Sequence, residues 1–102
     1  YGAAKAGVLR LTESMAVDLG AHGIRCNAVL PGHMNTDHLF GQPAPPLGSM
    51  EGHHARSVPL GRRGTPEDIG RAVAFLCSPA AGCITGVSLP VDGGLLAVGP
   101  GN

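Results

Sequence analysis

One segment limits what this chain can fold into more than any other: Ile24-Arg25-Cys26-Asn27-Ala28-Val29-Leu30, stopped by Pro31-Gly32. It is short and β-prone at both ends, and it reads as a strand buried on both faces, the kind found in parallel sheets. The residues before it, 2–20, read as a helix. Ala4, Val8, Leu11, Met15 and Leu19 recur at spacings of four, three, four and four, while Lys5, Arg10, Glu13 and Asp18 fall mostly off that stripe. Gly20 and Gly23 are placed to supply positive φ at the helix end. A helix followed by such a strand is half of a β-α-β crossover.

The rest of the chain repeats the order. Residues 33–64 have no sustained periodicity and are rich in Gly and Pro, a long loop with room for a short helix around Gly48–Arg56. A loop of this length inside a compact domain is usually functional or mobile. Thr65-Pro66-Glu67-Asp68 then opens a helix with an N-cap, a proline at the first helical position and acids in the first turn. Ile69, Ala72, Val73 and Leu76 form its apolar stripe, and Ser78-Pro79 ends it. Val87-Ser88-Leu89-Pro90-Val91 reads as a last strand, at a sheet edge because Pro90 has no N–H to donate. Asp92-Gly93-Gly94 is a turn before a short apolar tail.

Helix, strand, loop, helix, strand gives a two-stranded parallel sheet, and such sheets occur almost only when both faces are covered. The expected fold is therefore α/β: residues 1–102 as part of a larger doubly wound parallel-sheet domain, incomplete as it stands. At 102 residues, with 43% hydrophobic and 14% charged side chains and a formal net charge of zero, the chain suits a buried α/β protein and has no bulk attraction for nucleic acid or an anionic membrane. Aromatics are 3% of the residues, too few for a base-stacking surface. No stretch is long and apolar enough to span a membrane. Cys26, Cys77 and Cys83 are odd in number with no Cys-x-x-Cys, so they read as small core residues in a cytoplasmic or other reducing compartment, and not as a disulfide framework.

Tyr1 and Lys5 lie four apart at a helix start, which puts both side chains on one face. A phenol has a reference pKa of about 10. A neighbouring ammonium and the positive end of the helix dipole both favour the phenolate, tuning the group toward acid/base work near neutral pH. Taken alone, a Tyr and a Lys at this spacing are common and carry no function. His38, His53 and His54 have no third ligand at a standard spacing, so no metal site is expected. His33 can face a ligand or solvent equally well.

The context of the pair is more specific. Tyr1-Gly2-Ala3-Ala4-Lys5 resembles the Tyr-x-x-x-Lys signature of the short-chain dehydrogenase/reductase family. Four further matches follow in the family's order: Gly23 to Gly32 as the strand into a Pro-Gly turn, Pro31-Gly32-His33-Met34-Asn35-Thr36 as Pro-Gly-x-x-x-Thr, Gly64 to Ile69 as a helix start, and Ile84 to Gly94 as the C-terminal strand and turn. The last two resemble the classical branch, and the wording of Gly23–Gly32 and Gly64–Gly94 is similar to β-ketoacyl-acyl-carrier-protein reductases and hydroxysteroid dehydrogenases.

The resemblance implies a Rossmann-like oxidoreductase that moves a hydride between NAD or NADP and a small carbonyl or secondary alcohol, with residues 1–102 as the C-terminal half of its doubly wound domain. Tyr1 would be the general acid/base. Lys5 would lower the Tyr1 pKa and hold the cofactor ribose. Pro31, Gly32 and Met34 would lie against the nicotinamide by their backbones, with Thr36 beside its carboxamide or phosphates. Met34 departs mildly from the branched aliphatic often found there. Asp37 to Leu60 would be a substrate lid, and the first helix would pair with its equivalent in a homo-oligomer. The family's glycine-rich phosphate loop, its residue selecting NAD or NADP, its catalytic serine and its structural asparagine all precede the tyrosine. The 102 residues alone are therefore expected to be inactive. The alternative is a non-catalytic truncated form that docks on a full-length subunit through the first helix.

Overall fold

A computed structural model describes residues 2–34 and 57–98. In chain order, α1 spans Gly2–Leu19, β1 Ala28–Pro31, α2 Pro66–Leu76, β2 Ser88–Val91 and α3 Leu95–Val98, with single 3-10 turns at Gly20–His22 and Pro79–Ala81. β1 pairs with β2. Ala28 N–H donates to Val87 O at 2.8 Å and Gly32 N–H to Val91 O at 3.2 Å, so the register advances in the same direction on both strands and the pairing is parallel. The α/β architecture read from the sequence is present. The helix expected around Gly48–Arg56 lies outside the described residues.

Contacts along the chain gather into two units, Tyr1–Leu30 with Ala72–Leu89, and Pro31–Arg71 with Pro90–Asn102. In the first unit α1 is rich in alanine and other good helix formers. The Thr12 hydroxyl donates back to Val8 O at 2.8 Å. The face that α1 buries is the one carrying Thr12 and Ala16. A Cβ on Gly86 would stand only 3.4 Å from the Ala16 methyl, so a small residue on each side sets this contact. The expected stripe is not the buried face: Val8 is 57% and Leu11 58% exposed. Periodicity places those side chains together, but nothing among the described residues covers them.

The end of α1 is terminated by Gly23, with φ 72°, whose N–H donates to Gly20 O at 3.0 Å. Gly20 does not take the positive φ expected of it and instead opens the 3-10 turn. The following strand starts at Ala28, later than the expected Ile24, and runs to Pro31. Residues 25–27 are committed to other partners. Arg25 Nη1 donates to Ile84 O at 3.1 Å, Cys26 N–H to the Thr85 hydroxyl at 3.0 Å, and the Asn27 amide both donates to Ile84 O at 3.1 Å and accepts from Val87 N–H at 3.0 Å. These side-chain bonds supplement one backbone bond, from Gly86 N–H to Cys26 O at 2.7 Å.

Cys77 and Cys83 are exposed and Cys26 is half-buried, which corrects the expectation of three core residues. Among the described residues only Thr12, Ala16, Val58, Leu76 and Ala81 are buried. A parallel sheet needs cover on two faces, and so thin a core is what an incomplete sheet leaves. The tail also differs from expectation: after Asp92-Gly93-Gly94 the chain forms α3, whose first turn is tied down when the Asp92 carboxylate accepts from Gly94 N–H at 2.9 Å and Leu96 N–H at 3.0 Å.

Candidate active site

Of the six residues singled out by sequence, Tyr1 and Thr36 lie outside the described residues, as do His38, His53 and His54. Lys5 sits in the first turns of α1, in the first unit, with an exposed side chain. Pro31, Gly32 and Met34 lie together in the second unit, and the structure shows what holds them.

The turn after β1 is fixed from two sides. On one side Gly32 N–H donates to Val91 O, and the Gly32 Cα is pressed against Asp92, where an added Cβ would lie 2.6 Å from Asp92 Cβ and 2.8 Å from its Cα. Only glycine permits that approach. On the other side Gly64 N–H donates to His33 O at 2.9 Å, and Met34 forms a parallel bridge with Gly64. The Met34 side chain lies over Gly64 so closely that an added Cβ would collide with its Cε. In such a bridge the N–H and C=O of Met34 itself point away from Gly64. Met34 therefore contributes in two ways, its thioether to packing and its peptide edge to whatever lies beyond.

Gly64 is held in turn by the cap of α2. The Asp68 carboxylate accepts from Thr65 N–H at 2.9 Å and from the Thr65 hydroxyl at 3.1 Å, and Asp68 N–H donates to the Thr65 Oγ1 at 3.2 Å. This is a reciprocal capping box with an aspartate in the acidic position. Arg62 grips the same carboxylate with Nη1 at 2.8 Å and Nη2 at 3.3 Å. The hydrogen bond from Arg62 and that from Thr65 N–H hold the Asp68 carboxyl well below the usual carboxylate range, and Asp68 raises Arg62 in return. An open groove of about 610 Å³ lies beside this cap, walled by Leu60, Arg62, Asp68, Val91, Asp92 and Gly93 among others. Pro31, Gly32 and Met34 do not line it. A second cleft, of about 590 Å³ in the first unit, is walled by Arg25, Cys26, Val29, Val73, Leu76 and Cys77. No cluster of metal ligands occurs among the described residues. No helix among them is long and apolar enough to cross a membrane.

Gly64, Asp92 and Arg62 were not singled out by sequence. The Gly64-Thr65-Pro66 helix start was a partial signal for the first. The Asp92-Gly93-Gly94 turn was a partial signal for the second, whose contact with Gly32 joins distant parts of the chain. Arg62 acts locally, through a side-chain fork to Asp68 six residues on, which no periodicity announces.

A helix carrying Lys5, a parallel strand ending in Pro-Gly and a partner strand ending in Asp-Gly-Gly define the class: the C-terminal part of a doubly wound α/β domain. The family model described as enoyl-(acyl carrier protein) reductase matches residues 1–96, and the chain belongs to the short-chain dehydrogenase/reductase family. It is 47% identical over 95 residues to a (3R)-3-hydroxyacyl-CoA dehydrogenase of Canis lupus familiaris, which covers 93% of this chain and 35% of that protein. It is 48% identical over 98 residues to a cis-4-hydroxycyclohexanecarboxylate dehydrogenase of Sinomonas cyclohexanicum, covering 96% of this chain and 38% of that one. Its backbone matches the crystal structure of a blue fluorescent protein from a metagenomic library in complex with NADPH, with a TM-score of 0.78 and 41% identity over 93% of this chain and 36% of that one. The chain thus spans between a third and two-fifths of the length of these relatives.

Proposed function

We propose that the protein carrying this chain is an NAD(P)(H)-dependent oxidoreductase that interconverts a small carbonyl compound and its secondary alcohol, and that residues 1–102 are the C-terminal half of one Rossmann-like catalytic domain. The observation that carries this reading is the family match over residues 1–96, which begins at Tyr1 and includes Lys5 one helical turn further on. A relative bound to NADPH supports the choice of cofactor class, and relatives named as dehydrogenases support the reaction class.

The chain's residues suit the cofactor. The Met34 peptide edge, pointing away from Gly64, offers one donor and one acceptor to a flat carboxamide, with Pro31 and Gly32 forming the wall beside it and Thr36 two residues on in sequence. When bound, a nicotinamide nucleotide would give a hydride to the carbonyl carbon in reduction, or take one from the alcohol carbon in oxidation. Tyr1 then gives its phenolic proton to the carbonyl oxygen during reduction, or takes the alcohol proton during oxidation. Lys5 favours the phenolate by its charge and donates to the ribose hydroxyls. By itself the 102-residue chain has no turnover, because the phosphate-binding half and the second donor to the carbonyl oxygen are not among these residues.

The test is Tyr1→Phe in the natural protein, assayed with acetoacetyl-CoA and with a panel of secondary alcohols. The expected result is loss of most turnover with cofactor affinity retained; unchanged turnover refutes the role of Tyr1. A second reading is favoured by the exposed Val8, Leu11 and Met15 on α1. These residues form the contact by which the protein self-associates, or by which a truncated form docks on a full-length subunit.

A further inference from the structure

We infer that Arg62 and Asp68 form a positioning pair for the reaction, acting through Gly64 on the Met34 peptide edge; this rests on the oxidoreductase reading above. Their effect is transmitted by a short chain of contacts within one unit. Asp68 closes residues 62–65 into a ring: its carboxylate takes the forked guanidinium of Arg62 at 2.8 and 3.3 Å, and its Oδ2 accepts from the Thr65 amide as well, at 2.9 Å. Gly64 stands at the apex of that ring. Its N–H is bonded to His33 O at 2.9 Å, and its Cα bears the Met34 side chain with no room for a methyl group between them.

A shift of Gly64 therefore moves His33 O through their hydrogen bond, and with it the peptide edge of Met34, while the flexible thioether follows by changing rotamer. The opposite flank gives no slack, because Gly32 is already against the Asp92 backbone. Arg62 also donates to Arg63 O at 3.0 Å, so one guanidinium ties the carboxylate and the backbone just before Gly64. Arg71 approaches the same carboxylate only at 4.0 Å, from a side chain that is 79% exposed, and makes no fork. The arrangement fixes a backbone position and does not add a charge to a ligand. Misplacement of a reacting group by about 1 Å from a remote change can cost roughly a hundredfold in rate.

The test uses the natural protein, with NADH and NADPH as cofactors and acetoacetyl-CoA as the probe substrate, on Arg62→Gln, Arg62→Lys and Arg71→Gln. Arg62→Gln is expected to lower kcat tenfold or more, with the KM for the cofactor within threefold, at a temperature well below its melting point. Arg62→Lys restores part of the loss by keeping the charge without the fork, and Arg71→Gln changes neither constant. An Arg62→Gln kcat within twofold of the parent, or an equal loss in Arg71→Gln, overturns the inference while leaving the oxidoreductase reading in place. If Arg62→Gln does not fold, Arg62→Lys decides: a lowered kcat in a folded protein supports the pair, and an unchanged one makes it purely structural. A parent protein with no turnover of any carbonyl or alcohol in the panel sinks the oxidoreductase reading, and the inference falls with it.

Discussion

Replacing Gly32 by alanine probes the packing of the turn directly. The added Cβ would lie 2.6 Å from Asp92 Cβ and 2.8 Å from Asp92 Cα. Non-bonded carbons settle at about 3.5–4.0 Å, so the new contact is short by roughly 1 Å. Two features decide the cost. One of the opposing atoms is backbone, so no change of rotamer relieves the clash, and either the turn or the end of β2 must move. Gly32 is not at positive φ, so conformational strain adds nothing. Overpacking of this kind costs about 1–3 kcal/mol, and contact with backbone places it at the upper end. The stiffer unfolded chain offsets about 0.4–1 kcal/mol. The net is about 2 kcal/mol of destabilisation, or a fall in Tm of about 4–8 °C for a domain of roughly 150–250 residues. Calorimetry of the natural protein measures it, with Gly70→Ala as the matched control. Gly70 lies inside α2 with nothing within 4 Å of its would-be Cβ, so that variant gains about 0.5–1 kcal/mol. A Gly32→Ala protein melting within about 1 °C of its parent would refute the claim that Asp92 fills the space.

Three other outcomes follow from the same geometry. Thr65→Ala removes the acceptor for Asp68 N–H and weakens the protein by about 1 kcal/mol in urea unfolding; a loss below about 0.3 kcal/mol would mean the cap carries no stability. Asp68 is held below its ordinary value of 3.8, so its bonds add stability at pH above that value, and that stability drains away as pH falls below it toward the lower folded-state value. Asp68→Asn should flatten the acid limb of the Tm-against-pH curve, and two superimposable limbs would contradict the assignment. Leu11→Glu places a charge in the exposed stripe of α1 and should shift the natural protein to a smaller species in light scattering; an unchanged mass removes α1 from the interface.

What the sequence could reveal depended on distance along the chain. α1 and α2 were legible because their signals are local: a 3.6-residue recurrence and, at Thr65-Pro66, a cap with its proline and acids. The start of β1 was not, because Arg25 and Asn27 are held by side-chain bonds to residues 53 to 60 positions away, which no local propensity reports. The burial of a cysteine or of an apolar stripe depends on what stands opposite, and here few residues do. α3 was missed because four residues show no period; it forms because Asp92 caps it. The candidate site divides in the same way. Tyr1, Lys5 and the Pro31-Gly32 turn carry local signatures. The Asp92 backbone under Gly32 and the Arg62–Asp68 fork behind Gly64 are visible only once the chain is folded.

Asn27 carries a consequence for how variation in this family is interpreted. Its amide donates to Ile84 O while its oxygen accepts from Val87 N–H, so one short planar group must present both polarities at a fixed reach. Aspartate lacks the donor, serine lacks the reach for both, and glutamine is one methylene too long. Across sequences sharing this fold, position 27 should therefore vary as little as a reacting residue does. Invariance there records a joint between two loops, and ranking positions by constancy alone would place it among the catalytic groups.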